Sequence, residues 1–403
     1  SSDVCSSDLA GLARCAVTAS SFRNKGGSMK QILQAALIAS ILASSSAFAG
    51  TISFSTAALT GDIAPGADPG ATFDAFSDTG VNESGTVSLR GYLSTTGFED
   101  CDNGLWLGTP GSLELVACEG DEAPGTENGT TFIQPGGAGH SVTNDLGEIA
   151  FVSRLEGDEV SIFEDEGIWL GSPGDVQLLV REGDQAPGTD IGTEFIGIST
   201  PLVLNNLGDI AFDSGLSGPN VDLSNDKGIW LGNISQGVRL VAREGDPAPD
   251  TDAGIVFREL HFDNGRAIND RGEIAFLAKI EGPGVDYTND TGLWIGDSDS
   301  LQLVVRAGDP VPNLPIGSNF ETFSAPMLSA KGEIVFQSTV TGYASTWWLW
   351  KGTAGDFELA VRQGDQAPGT EQDVVFNSLD SDVLINANGE LVFKAGLSGP
   401  GLD

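Results

Sequence analysis

The side chains able to do chemistry are few. His140 and His261 are the two histidines of the chain, and neither stands in an H-E-x-x-H or triad context. No G-x-S-x-G elbow, phosphate-binding glycine loop or Cys/His metal cluster occurs. Paired carboxylates could serve a glycosidase, but with 57 Asp+Glu such pairs arise everywhere. The acidic loops are more pointed. Asp222-Leu223-Ser224-Asn225-Asp226 and Asp286-Tyr287-Thr288-Asn289-Asp290 share one spacing, each followed within two residues by Gly. Glu99-Asp100-Cys101-Asp102-Asn103 and Glu164-Asp165-Glu166 take the same place. Hard oxygen ligands in a Gly-bounded loop are what Ca²⁺ requires. Asp222, Asn225, Asp226, Asp286, Asn289 and Asp290 are therefore candidate ligands, with Ca²⁺ the one candidate cofactor. The loops lack a complete D-x-D-x-D-G series, and the alternative is a polar loop whose Asn and Asp cap turns.

The elements that would position these loops recur along the chain. From Gly167 to Leu216 the sequence runs through a Trp strand, a turn at Pro173-Gly174-Asp175, a strand ending at Arg181, the turn Gly183-Asp184-Gln185-Ala186-Pro187-Gly188, an extended stretch, the turn Asn205-Asn206-Leu207-Gly208 and the strand Asp209-Ile210-Ala211-Phe212. Asn opens such a turn with its side chain and Gly accepts the φ > 0 position, so N-x-x-G between apolar runs reads as a hairpin. The G-D-x-A-P-G turn begins at Gly61, Gly120, Gly183, Gly245, Gly308 and Gly364, with intervals of 59, 63, 62, 63 and 56 residues. The Trp strand centres on Trp106, Trp169, Trp230, Trp294 and Trp350, and Arg181, Arg243, Arg306 and Arg362 form an arginine column. A fixed period of this kind marks a repeat architecture.

Four strands per unit at this spacing predict an all-β fold, a β-propeller-like ring of about six four-stranded repeats. An open array of β-sandwich-like repeats or a β-solenoid is the alternative. Thr51 to Leu59 lacks a preceding Trp strand and the last repeat lacks a following one, so the two ends are expected to share a sheet, with Thr51–Leu59 beside Leu391–Lys394. One Trp per repeat reads as packing between sheets; an exposed row for stacking sugars is the competing reading. The arginines are expected to pair with the Asp of their own or a neighbouring turn.

Residues 29–49 read as a signal peptide: Met29-Lys30, an apolar run over Ile32 to Leu42, and the small-x-small site Ala47-Phe48-Ala49. Export then starts the protein at Gly50 and leaves residues 1–28 as a non-native leader. The apolar run is too short for a membrane span. The whole chain carries 19 Lys+Arg against 57 Asp+Glu. Removing Arg14, Arg23, Lys25, Lys30, Asp3 and Asp8 leaves 15 against 55, about −40, which excludes nucleic acid and anionic membranes as partners. Cys101 and Cys118 flank the two strands of one hairpin and are either bridged or separate thiols.

The runs Asn144-Asp145-Leu146-Gly147-Glu148-Ile149-Ala150-Phe151 and Asn269-Asp270-Arg271-Gly272-Glu273-Ile274-Ala275-Phe276, with the R-x-G-D-x-A-P-G segments, resemble the bacterial exported choice-of-anchor proteins with tandem NxxGxxAF repeats, many of which end in a PEP-CTERM anchor. The copies at Asn82, Ser329 and Asn386 depart from the pattern. The resemblance implies display on the surface of a Gram-negative bacterium and implies no activity. No anchor segment stands at the end of the sequence, which stops within a repeat; this reads as truncation. The expected function is a non-enzymatic scaffold or binding module for extracellular polysaccharide or protein; the alternative is a secreted propeller enzyme acting on polysaccharide. An enzyme would need one repeat to carry groups that the others lack, and the acidic residues follow the repeat instead.

Overall fold

The computed structural model describes residues 4–7, 12–18, 35–42, 52–94, 101–137, 141–198, 202–262, 267–343, 346–386 and 388–401. Every regular element among them is a β-strand. Five of the antiparallel sheets follow one plan: a strand with Phe at or next to its start pairs with the strand after the N-x-x-G turn, that strand pairs with the Trp strand, and the Trp strand pairs with the strand of the arginine column, which ends in Cys118 in the first. Thr72–Val81, Val87–Ser94, Asn103–Thr109 and Ser112–Cys118 form one such sheet; Val256–His261, Ile274–Glu281, Thr291–Gly296 and Gln302–Arg306 form another. In three sheets the first strand is split, as in Glu194–Ile198 and Val203–Leu204, both of which pair with Ile210–Ser217. The fold is all-β and propeller-like, as the spacing predicts. The chain divides into two compact units, Ser1–Asp184 with Asn233–Gly237, and Gln185–Gly232 with Val238–Asp403.

Two expectations are corrected. The sheet boundary falls at the G-D-x-A-P-G turn, so the repeat unit read from the sequence straddles two sheets. The cause is in the turn, whose backbone bonds to the strand it leads into: Gly245 N donates to Phe257 O at 2.8 Å and Phe257 N to Asp246 O at 3.0 Å. Secondly, Ile52–Leu59 pairs with Ala35–Leu42, while Leu391–Ser398 pairs with Val375–Ile385 in a two-stranded sheet. A nearby apolar strand closes a shorter loop than one at the far end of the chain and costs less entropy. Ala35–Leu42 belongs to the expected signal segment; Met29 and the cleavage site before Gly50 lie outside the described residues.

An aromatic lock explains most of the repeat's fixed letters. Trp106, Trp169, Trp230, Trp294 and Trp350 are all buried. A buried indole N–H needs an acceptor, and four of them find it in the G-D-x-A-P-G turn: Trp106 donates to Pro65 O at 2.8 Å, Trp169 to Pro124 O at 3.0 Å, and Trp230 and Trp294 to Pro187 O and Pro249 O at 3.2 Å. The Phe after the turn meets the indole edge-on, with centroids 4.9 Å apart for Phe195 and Trp230, and the Phe of the N-x-x-G strand lies parallel to it, Phe212 at 6.1 Å and 22°. Glycine two residues before the Trp leaves room for the ring: a Cβ on Gly228 would stand 2.5 Å from Trp230 Cη2, and one on Gly167 2.7 Å from Trp169 Cη2. The other face of three sheets packs on the next Trp. Trp294, for example, shares a core with Ala211, Ile229 and Leu231 of the preceding sheet.

The turns follow the expected mechanism and add a link. Gly208 sits at φ 76° and Gly272 at 76°; Asn205 Oδ1 accepts from Leu207 N at 2.9 Å and Asp209 N at 2.8 Å. The Asn amide then reaches the next repeat: Asn205 Nδ2 donates to Asn269 O at 2.9 Å, and Asn82 Nδ2 to Asn144 O at 2.6 Å. Where the G-D-x-A-P-G turn ends in Asp250 or Asn313 instead of Gly, those residues take φ 59° and 62°, a region that Asp and Asn tolerate better than other side chains.

Gly228→Ala is expected to lower stability by about 1–3 kcal/mol through overpacking against Trp230. Ala at Gly237, whose Cβ would meet nothing within 4 Å but whose φ is 78°, should cost about 1 kcal/mol from backbone strain. Urea midpoints of the two variants check the difference.

Candidate functional site

The structure assigns the residues singled out in the sequence chiefly to turns and packing. Cys101 and Cys118 form a disulfide with Cα atoms 5.5 Å apart, the bridged alternative. The arginines do not act alike. Arg362 Nε approaches Asp365 Oδ1 of its own turn at 3.4 Å and Arg181 reaches Glu127 of the preceding turn at 2.9 Å. Arg181, Arg243 and Arg306 each donate Nε–H to a carbonyl of the acidic loop before the Trp strand: Glu164 O, Asn225 O and Asn289 O, at 2.9, 2.9 and 2.5 Å. Those loops are closed by their own hydrogen bonds. Asp222 Oδ1 accepts from Ser224 N and Oγ, Asn225 Oδ1 accepts from Asp222 N, and Asp286, Thr288 and Asn289 repeat the pattern. Asp290 Oδ2 faces Arg258 at 3.4 Å. Among the described residues no three His, Cys, Asp or Glu side chains come together to hold a metal. The acidic loops are self-capped turns: Asp222, Asn225, Asp286 and Asn289 each accept from a backbone N–H of their own loop.

Chemistry concentrates where the repeats disagree. The residue after the Phe of the N-x-x-G strand is Val152, Asp213, Leu277, Gln337 and Lys394 in successive copies, with Arg90 after Leu89 in the first. The facing strand is distorted at or near it, with register shifts between Phe257 and Glu259, ahead of the His261–Leu277 pair, and between Leu379 and Val383, opposite Lys394; such bulges re-aim side chains. In one repeat this place holds a charged cluster. Phe257-Arg258-Glu259-Leu260-His261 replaces the apolar and small Phe195-Ile196-Gly197-Ile198 of the copy before it. Glu259 pairs across the ladder with Lys279, whose Nζ lies 2.9 Å from Glu259 Oε2; His261 Nε2 is 3.5 Å from the same oxygen, and Arg258 stands 3.6 Å from Oε1. The hydrogen bond from Lys279 holds the Glu259 carboxyl below the usual range, helped by the charges of Lys279, Arg258 and His261 against partial desolvation. The Arg258 Nε is buried and bonds to no described residue. Beneath the cluster, buried Glu244 accepts from Leu260 N at 3.3 Å. Sequence reading passed over His261 because its neighbours in space, Glu259 and Lys279, belong to no motif. Comparing the copies column by column would have found it. His140 lies outside the described residues.

The chain belongs to a family of unknown function, DUF7453, which matches it twice, over residues 39–250 and 233–403. No curated protein shows significant sequence similarity to it. Solved structures that it resembles include a polysaccharide lyase, an ulvan lyase, at 10% identity and a TM-score of 0.36 over 88% of this chain and 81% of that one. A Trypanosoma rangeli sialidase in complex with sialic acid aligns at 13% identity and a TM-score of 0.30, over 82% of this chain and 48% of that one. A Mycobacterium tuberculosis puromycin-hydrolyzing peptidase aligns at 10% and 0.36, over 97% and 57%. The chain thus spans about half the length of the last two. Each of these proteins is an enzyme by name, and the expectation of a chain without enzymatic activity finds no support among them.

Partly desolvated carboxylates bear on the response to pH. Burial pushes Glu119, Asp121, Glu166, Glu244 and Asp246 above their ordinary values. Their folded pKa exceeds the unfolded one, so the stability they contribute is complete below the ordinary carboxylate range and is lost as pH rises through the raised values. Asp222, Glu259 and Asp286 are lowered, by bonds from Ser224, Lys279 and Thr288; what they contribute is lost only as pH falls below about 4. The urea midpoint is therefore expected to rise from pH 7 to about 5 and to fall again below about 4, a trend that equilibrium unfolding at the three pH values reads directly.

Proposed function

We propose that the protein is an exported enzyme acting on an anionic polysaccharide, with Arg258, His261 and Lys279 as its working groups. The observation that carries this reading is the cluster itself: three basic side chains gather around Glu259 on one repeat, in a chain of net charge −38. That is the departure from the repeat by which an enzyme would differ from a scaffold. An acidic glycan, repelled by most of this surface, is drawn to a local basic patch. Arg258 and Lys279 suit a uronate carboxylate, neutralising it and easing removal of the proton beside it. His261 takes that proton, the electron pair forms the carbon–carbon double bond, and the glycosidic oxygen leaves and takes up a proton from water. Glu259 serves as the positioning residue for Lys279. A glycosidase acid needs a raised pKa, and Glu259 is held in the opposite direction, which favours elimination over hydrolysis. Export through residues 29–49 and display on the bacterial surface, as the NxxGxxAF resemblance implies, belong to the same proposal.

The test is depolymerisation of ulvan, alginate and polygalacturonate, read by the ultraviolet absorbance of the new conjugated double bond. At least one should be cleaved, and His261→Ala should slow it about 10²-fold or more while leaving the urea midpoint in place. No cleavage of any acidic glycan, or an undiminished rate in His261→Ala, would overturn the reading.

A further inference from the structure

A second place where the repeat changes its letters forms a cleft of about 470 Å³, lined by Trp347, Ser378, Leu379, Asp380, Lys394, Ala395 and Gly396. It stands at the repeat position of the cluster above, with Asp380 where that repeat has His261 and Lys394 where it has Leu277. The local sequence explains why an indole is free to line it. The glycine that elsewhere leaves room for the buried Trp ring is here Trp348, which stacks on Trp350 at 6.2 Å and 23°. Trp350 no longer reaches a Pro carbonyl and donates instead to Ser338 Oγ at 2.8 Å. Trp347 is thus an additional indole beside the lock, part-buried against the core that contains Phe376, Leu379 and Val383.

The polar groups of the cleft are held in place. Gln337 is buried and donates Nε2–H to Asp380 O at 2.8 Å, fixing the bulged backbone that carries the Asp380 side chain. Lys394 Nζ stands 3.1 Å from Asp380 Oδ2, with the Lys394 side chain 76% exposed. Gly396 leaves space for Ser378, whose Oγ would lie 2.6 Å from a Cβ there. The cleft therefore offers an indole, a carboxylate and hydroxyl for sugar hydroxyls, and an exposed ammonium. Its volume is that of a small-ligand site.

We propose that this cleft is a saccharide-binding subsite, taking a sugar ring against Trp347 with an acidic substituent at Lys394. The inference shares its ligand class with the function proposed above, and it requires no chemistry at the Glu259 cluster.

Isothermal titration with tetragalacturonate as the acidic probe and cellotetraose as the neutral one tests it, using protein that carries His261→Ala so that nothing turns over. Trp347→Ala should weaken both probes by about tenfold; Lys394→Ala should weaken only the acidic one. The exposed Lys394 side chain can be removed without disturbing the fold, so that result stands even if Trp347→Ala unfolds. Parent protein that binds neither probe, or variants that bind the acidic probe as tightly as the parent, would overturn the proposal. Binding as expected without any glycan cleavage would support this site and remove the catalytic reading.

Discussion

The hydrogen bond from a buried indole to a proline carbonyl is the constraint on which the repeat depends. A Trp ring is large enough to fill the space between two sheets, but its N–H costs free energy if it is left dry and unpaired. The G-D-x-A-P-G turn meets this need with a fixed carbonyl, as in Trp230 with Pro187. The same turn carries the chain to the strand whose Phe closes on the edge of the indole. One interaction therefore ties the connector, the Trp strand and the sheet core together. The glycine two residues upstream is required by the same ring. The last Trp repeat illustrates the dependence: with Trp348 in the glycine position, the indole of Trp350 turns to a serine hydroxyl.

With the frame fixed in this way, other positions are free to differ. The register shifts after Phe257 and between Leu379 and Val383 interrupt the ladder close to where the copies carry unlike side chains. Phe257 keeps its edge-on contact with Trp294 at 5.1 Å right beside the shift, so Arg258, Glu259 and His261 follow a lock that stays closed. The Asn side chains that bond from one N-x-x-G turn to the next add a second set of ties between repeats. A scaffold of this kind can tolerate charge at chosen points because its stability is distributed over many equivalent contacts.

Much of the fold was legible in the sequence because turn chemistry is local. Glycine in N-x-x-G had to take positive φ, and it does; Trp at a fixed period had to be buried, and it is. The phase of the sheets was not legible, since a hairpin motif does not say which neighbour its outer strand joins. The pairing of Ile52–Leu59 was missed for a similar reason, because complementary ends of a chain are only one of the ways to cover a strand edge. The acidic loops resembled metal ligands by composition, yet the bonds of Ser224 and Thr288 to the preceding aspartates show that such residues can satisfy one another. The Glu259 cluster was invisible in one dimension: Lys279 meets Glu259 across a ladder, 20 residues away.

Hydrogen exchange of the indole N–H groups, followed by ¹⁵N–¹H NMR on the intact protein, tests the central claim most directly. The account predicts that the signals of Trp106, Trp169, Trp230 and Trp294 exchange slowly and together, each held by a proline carbonyl, while that of Trp347 in the cleft exchanges fast. Four locked indoles that exchanged as fast as Trp347 would contradict it.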